Sequence, residues 1–172
     1  MPQHIVLVGL PGAGKTTVGK LVAEKLGAGF FDSDSIIVRQ MQMPVSRIFA
    51  EYGELMFRDL ERQAMDHALN GPPAVISPGG GWIAQPGALE LTKANSFLVY
   101  LKTMVITAAK RAEGSGTRPM LVGEDPVALL RTLLKEREPF YIQANAEVKA
   151  DIKPVAQLAD EIVALAKERA GW

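Results

Sequence analysis

Residues 9–16 read Gly9-Leu10-Pro11-Gly12-Ala13-Gly14-Lys15-Thr16, a complete G-x-x-x-x-G-K-[ST] loop directly after the apolar run Ile5-Val6-Leu7-Val8. The pairing constrains the fold more than any other feature of the chain. A buried parallel strand has to deliver the backbone into the loop, and a helix has to leave it. Glycines let the loop turn tightly and aim its N–H groups at a polyphosphate, to which the helix adds its positive N-terminal end. Lys15 is expected to reach the β- and γ-phosphates and Thr16 to offer its hydroxyl to Mg²⁺. Gly12, Ala13, Gly14, Lys15, Thr16 and Thr17 are therefore the candidate nucleoside triphosphate contacts.

The 172 residues suit one domain, with 48% apolar and 22% charged side chains, as in ordinary globular proteins. Lysine plus arginine (19) equals aspartate plus glutamate (19), so no global field steers the chain to nucleic acid or to membranes. Cysteine is absent, which excludes disulfides, thiolate metal sites and thiol nucleophiles. Residues 5–8 are too short for a signal or a membrane span, and a cytoplasmic address is the expectation. A monomer is expected as well.

Short apolar runs alternate with helical patterns, which predicts an α/β domain around a parallel sheet. The strand candidates are residues 5–8, 30–31, 74–76, 97–101 and 147–150. Helical spacing of apolar residues predicts helices over 15–26, stopped by Gly27, over 53–69, and over 154–169. Residues 112–125, rich in glycine and poor in apolar periodicity, read as a mobile loop of the kind that serves as a lid.

Open parallel sheets bind ligands beyond the carboxyl ends of their strands. Three motifs fall there: the phosphate loop, Asp32-Ser33-Asp34 and Gly79-Gly80-Gly81. The two carboxylates can serve a metal and a substrate hydroxyl, or one can cap the helix that follows. Arg58 and Glu61, three apart on a helix, either form a solvated face or hold a guanidinium fork ready for a carboxylate. Three consecutive glycines either form a plain flexible loop or clear a surface that something must approach.

Taken together these residues resemble the shikimate kinases, small members of the nucleoside monophosphate kinase-like group. The match comprises Gly9–Thr16, Asp32-Ser33-Asp34, the segment Ile48-Phe49-Ala50-Glu51-Tyr52-Gly53-Glu54 with Phe57-Arg58 and Glu61, Gly79-Gly80-Gly81, Arg118-Pro119-Met120-Leu121, and Arg137 followed by Tyr141. It spans essentially the whole chain. The resemblance implies a three-layer α/β/α sandwich with a five-stranded parallel sheet of order 2-3-1-4-5. It also implies a single kinase domain over residues 1–172, with a substrate-binding region at about 33–62 and a lid at about 112–125. The implied activity is MgATP-dependent phosphorylation of the shikimate 3-hydroxyl.

The roles it implies follow position by position. Lys15, Asp34 and Arg118 are catalytic, with Asp34 as base and Arg118 closing over the phosphate. Thr16 and, through water, Asp32 support Mg²⁺. Arg58 and Arg137 grip the substrate carboxylate, Glu61 steadies Arg58, and Gly79, Gly80 and Gly81 bring backbone against the ring. Arg111 packs on adenine, and Lys153 stands where the adenine-facing loop is expected. Trp82 is larger than the residue expected after the glycines, and either packs away or narrows the pocket. Met120 replaces a leucine of similar volume. The alternatives are a related small-molecule kinase, such as one acting on gluconate, and a nucleotide-binding regulator without catalysis.

Overall fold

The computed structural model describes residues 1–115 and 125–172. Five strands, β1 (His4–Val8), β2 (Gly29–Asp32), β3 (Ala74–Ser77), β4 (Ser96–Lys102) and β5 (Ala146–Lys149), form one sheet in the order β2-β3-β1-β4-β5. All four pairings are parallel, with Ile5 opposite Val75 on one side and Phe97 on the other. The order is the expected 2-3-1-4-5. Crossovers are supplied by α1 (Lys15–Leu26), α2 (Ser33–Met41), α3 (Val45–Leu69), α4 (Ala88–Lys93), α5 (Val105–Ser115) and α6 (Pro126–Tyr141), and α7 (Val155–Arg169) follows β5.

Strand alternation splits the core into two layers. Ile5 and Leu7 face one side with Val75, Phe97 and Val99, where Val18 and Val22 of α1 and Leu158 and Ile162 of α7 cover them. Val6 and Val8 face the other with Ile76, Leu98 and Tyr100, under Met65 of α3, Ala108 of α5 and Leu130 of α6. Every residue of β1 is buried, and full burial of an aliphatic side chain stabilises by roughly 1.5–3 kcal/mol. That rigid strand holds the loop at its end in place. A smaller cluster of Ile37, Ile48, Phe57, Leu60 and Ala64 joins α2 to α3 and forms a lobe beside the sheet.

Several boundaries differ from the sequence expectation. The helix expected over 53–69 is preceded by another, and α3 (Val45–Leu69) is the two joined across a kink at Gly53, whose backbone is not helical (φ 81, ψ 171). Gly27 does end α1, in the left-handed conformation and with its N–H on the carbonyls of Ala23 and Glu24. The expected 112–125 loop is shortened at its start by α5, which reaches Ser115, and Asp125 caps α6 by accepting from the Val127 N–H. Residues 116–124, Arg118 and Met120 among them, lie outside the described residues. Among the described residues, no helix is long and apolar enough to cross a membrane.

Candidate active site

The carboxyl ends of β1, β2 and β3 open into a cleft of about 290 Å³ lined by Gly12, Gly14, Lys15, Thr16, Thr17, Asp32, Asp34, Ser77, Pro78, Gly79 and Arg111. Three separate motifs thus meet in one place, because parallel strands deliver their following loops to the same edge.

The loop is held from within and from behind. Lys15 is buried, and its ammonium donates to the carbonyls of Gly9 (2.8 Å) and Leu10 (2.9 Å). Gly12 has φ +85, and a Cβ there would lie 2.4 Å from the Ala108 carbonyl oxygen of α5. No other residue fits that close approach. Arg111 donates to the carbonyls of Ala13 and Ala150, both at 3.3 Å, and bridges the loop to the end of β5. Gly14 is the N-cap of α1 and has no side chain, so the first-turn N–H groups of that helix face the cleft beside Lys15. The cradle fits a polyphosphate.

Asp32 caps α2 and also reaches the phosphate loop. Its Oδ1 accepts from the Ser35 N–H (3.1 Å) as the cap of α2, and its Oδ2 accepts from the Thr16 hydroxyl (2.5 Å). Capping uses one oxygen and leaves the other aimed at the phosphate loop. A hydroxyl and a carboxylate oxygen beside a phosphate cradle suit Mg²⁺, which takes oxygen ligands and relies mostly on water and phosphate. No cluster of three or more metal-binding side chains occurs among the described residues. Ser33, between the two aspartates, accepts from the Gly79 N–H (3.0 Å) and fastens the glycine run to α2.

Behind the cleft, charged groups from three elements crowd around that run. Arg58 of α3 donates to Glu61 Oε1 at 2.8 Å and stands 3.6 Å from Glu54. Glu61 is fully buried and Arg58 nearly so, which removes the solvated-face alternative. Burial pushes the Glu61 carboxyl up to about 7, against the lowering effect of Arg58; Asp34 raises it further and Arg137 lowers it. Arg137 comes from α6 and is buried. A Cβ on Gly79 would meet Glu61 Oε2 at 2.7 Å, and one on Gly81 would meet Nη2 of Arg58 at 2.7 Å and of Arg137 at 3.0 Å. A side chain at either glycine would push these charged groups out of place. Among the described residues, Glu61 Oε2, Arg58 Nε and Arg137 Nη1 have no hydrogen-bond partner. Two buried guanidinium groups with unused donors form a site for an anion.

The structure brings together every described residue assigned to the site except Lys153, whose ammonium pairs with Glu161 of α7 at 2.7 Å and does not line the cleft. Trp82 turns away: it is buried and donates to Thr92 Oγ1 at 3.0 Å, and so does not narrow the pocket. Sequence reasoning gave no role to Ser33 or to Tyr141. The available signal for Tyr141 was its position four residues after Arg137, on the same face of α6.

A family model of shikimate kinase matches residues 11–167. The chain belongs to the shikimate kinase family. It is 39% identical over 162 residues to a shikimate kinase of Moorella thermoacetica, covering 94% of this chain and 93% of that protein. Its fold superposes with a TM-score of 0.93 on the shikimate kinase of Acinetobacter baumannii in complex with shikimate, at 36% identity and over 98% and 94% of the two chains. A gluconokinase of Sinorhizobium meliloti reaches a TM-score of 0.64 at 20% identity, with 99% and 94% covered, a likeness of fold alone.

Proposed function

We propose that the cleft transfers the γ-phosphoryl group of ATP to the 3-hydroxyl of shikimate, giving shikimate 3-phosphate and ADP. The observation that carries this is the convergence of Arg58 and Arg137 on Gly81, beside a phosphate loop. An acceptor with a carboxylate at one end would be held there by two fixed forks, with its hydroxyl end toward Asp34 and the phosphates. Residues 33–62 together with the glycine run form the substrate-binding region of a single domain.

In this reading Lys15 leaves the Gly9 and Leu10 carbonyls for the β- and γ-phosphates, where its charge stabilises the transferring group. Asp34, in the first turn of α2 and lining the cleft, accepts the proton of the attacking hydroxyl. Thr16 and, through water, Asp32 would hold Mg²⁺, which when bound neutralises charge on the β- and γ-phosphates. Glu61 keeps the Arg58 fork oriented. Arg111, which lines the cleft, flanks the adenine, and Lys153, held by Glu161 outside the cleft, would have to leave that pair to join it. Arg118 belongs to the same proposal but lies outside the described residues.

All these groups come from one chain, so a monomer is the proposed working state, in the cytoplasm and with no nucleic acid or membrane partner. A coupled ADP-release assay with shikimate, with gluconate and with buffer alone tests the reading. Turnover confined to shikimate is expected. Equal turnover with gluconate would move the assignment to the related kinase, and ADP release or nucleotide binding without any acceptor reaction would favour the regulator.

A further inference from the structure

A second cavity, of about 790 Å³, opens at the outer edge of the sheet and shares only Asp32 with the cleft. Strand β2 has a neighbour on one side alone, so its residues keep some exposure, whereas β1 and β3 are buried throughout. Strand alternation sends Phe30 to the core layer under α1 and Phe31 to the layer under α3, and both rings are only partly buried. The groove therefore wraps the sheet edge and draws its lining from both layers. Lys20 comes from α1, Ile36 and Arg39 from α2, and His67 from α3.

Phe30, Phe31 and Ile36 supply an apolar surface. Lys20, Arg39 and His67 are exposed, and among the described residues their side chains form no ion pair. Asp32 is the one carboxylate in the lining, and both its oxygens are engaged, by the Ser35 N–H and the Thr16 hydroxyl. Three basic side chains from three helices thus converge on two aromatic rings with no counter-charge left for them. The volume lies within the roughly 300–1,000 Å³ usual for small-molecule sites. An aromatic ring gains by offset or edge-on packing against phenylalanine, and a carboxylate matches the planar arginine fork. Inorganic phosphate would leave the rings wet. An acidic peptide added to the sheet edge would rely on main-chain hydrogen bonds, and β2 offers only four residues for them.

We propose that this groove is a second ligand site, separate from the cleft, that takes a small aromatic carboxylate: its ring lies on Phe30, Phe31 and Ile36, and its carboxylate is met by Arg39 and Lys20. Nothing in this depends on which acceptor the cleft takes.

The probe is 2-naphthoate, titrated by calorimetry in the presence of saturating shikimate and a non-hydrolysable ATP analogue with Mg²⁺, which keep it out of the cleft. Binding is expected, with shifts in the amide resonances of Gly29–Asp32. Arg39→Ala should weaken it about 10-fold, the lower end for a hydrogen bond to a charged group, with turnover unchanged. The neutral 2-naphthamide should bind the wild type about 10-fold more weakly than naphthoate, and bind Arg39→Ala and wild type alike. If Arg39→Ala does not fold, Lys20→Ala takes its place with the same expectation. Naphthoate that does not bind, or binds the variant as tightly as wild type, overturns the proposal. So does inorganic phosphate binding the groove as tightly as naphthoate, since the rings would then contribute nothing. An acidic peptide that shifts the β2 amides where naphthoate does not would make the edge a strand-docking surface and overturn it too.

Discussion

Glu61 is the residue at which burial and charge conflict most openly. Its carboxyl is pushed from 4.5 to about 7 chiefly by burial, with Arg58 and Arg137 pulling down and Asp34 pushing up. The native state therefore holds this proton more tightly than the unfolded chain does. The contribution to stability is complete below about pH 4.5 and is lost as pH rises toward 7, amounting to roughly 3 kcal/mol by linkage. Glu61→Gln is neutral throughout and should abolish that slope. Melting temperatures across pH 5 to 8 should show the wild type losing ground to Glu61→Gln as pH rises; parallel curves would refute the account. The arginines give a second test at this scale. Arg58→Ala and Arg137→Ala should each weaken shikimate binding about 10- to 150-fold, since a hydrogen bond to a charged group is worth roughly 1.5–3 kcal/mol. Binding of ATP should barely change, and lysine should rescue poorly because a point charge cannot reproduce the fork. Calorimetric constants unchanged in both variants would end the carboxylate-clamp assignment. The pairing of Arg58 with Glu61 was legible from their spacing. Their burial was not, because spacing identifies a shared helix face and says nothing of what that face meets.

Elements were legible where the apolar pattern had one cause. The inner strands β1, β3 and β4, buried on both faces, read as apolar runs, and α1 and α7 showed plain helical stripes. Helix α6 did not. Its buried stripe is Leu130, Leu133, Arg137 and Tyr141, so two site residues occupy positions where periodicity looks for apolar ones, and Pro139 interrupts the last turn. Gly53 was legible, since its non-helical backbone divides α3 at the position read as a helix start. At the far end of the sheet, His4 joins three elements. Its Nδ1 accepts from the Ala74 N–H of β3 at 3.2 Å, which leaves Nε2 to donate to the Leu69 carbonyl of α3 at 3.0 Å. His4→Ala would strand two buried backbone groups, each at a cost of roughly 1–3 kcal/mol. The melting temperature is expected to fall by about 5–15 °C, given about 2–4 °C per kcal/mol for a chain of this size. The cleft lies at the opposite ends of the strands, so turnover per folded molecule should stay within about twofold of wild type. A large loss of turnover with an unchanged melting temperature would contradict this division between a stabilising and a reactive edge.

At the scale of the whole molecule, one chain presents a phosphate cradle and an anion site side by side, built from different elements. The cradle depends on β1, α1 and α5; the anion site depends on α3, α6 and the loop after β3. Because the convergence lies in the topology, the sequence could disclose it as soon as each motif was placed at a strand end. The adenine side was less legible: Lys153 had a location but no visible partner, and in the fold it pairs with Glu161. Two sites on separate supports should respond to substitution separately. A ligand that binds only the native state stabilises it by RT ln(1 + [L]/Kd), roughly 2.7 kcal/mol at a hundredfold excess over Kd, or about 5–11 °C here. A non-hydrolysable ATP analogue with Mg²⁺ and shikimate should each raise the wild-type melting temperature by that amount, and chelation of Mg²⁺ with EDTA should remove most of the nucleotide's shift. Lys15→Met should lose the nucleotide shift and keep the shikimate shift, because Lys15 reaches phosphate and not the anion site. Arg137→Ala should do the reverse. If either variant lost both shifts, the two sites would share one support, and the separation of cradle from anion site would be wrong.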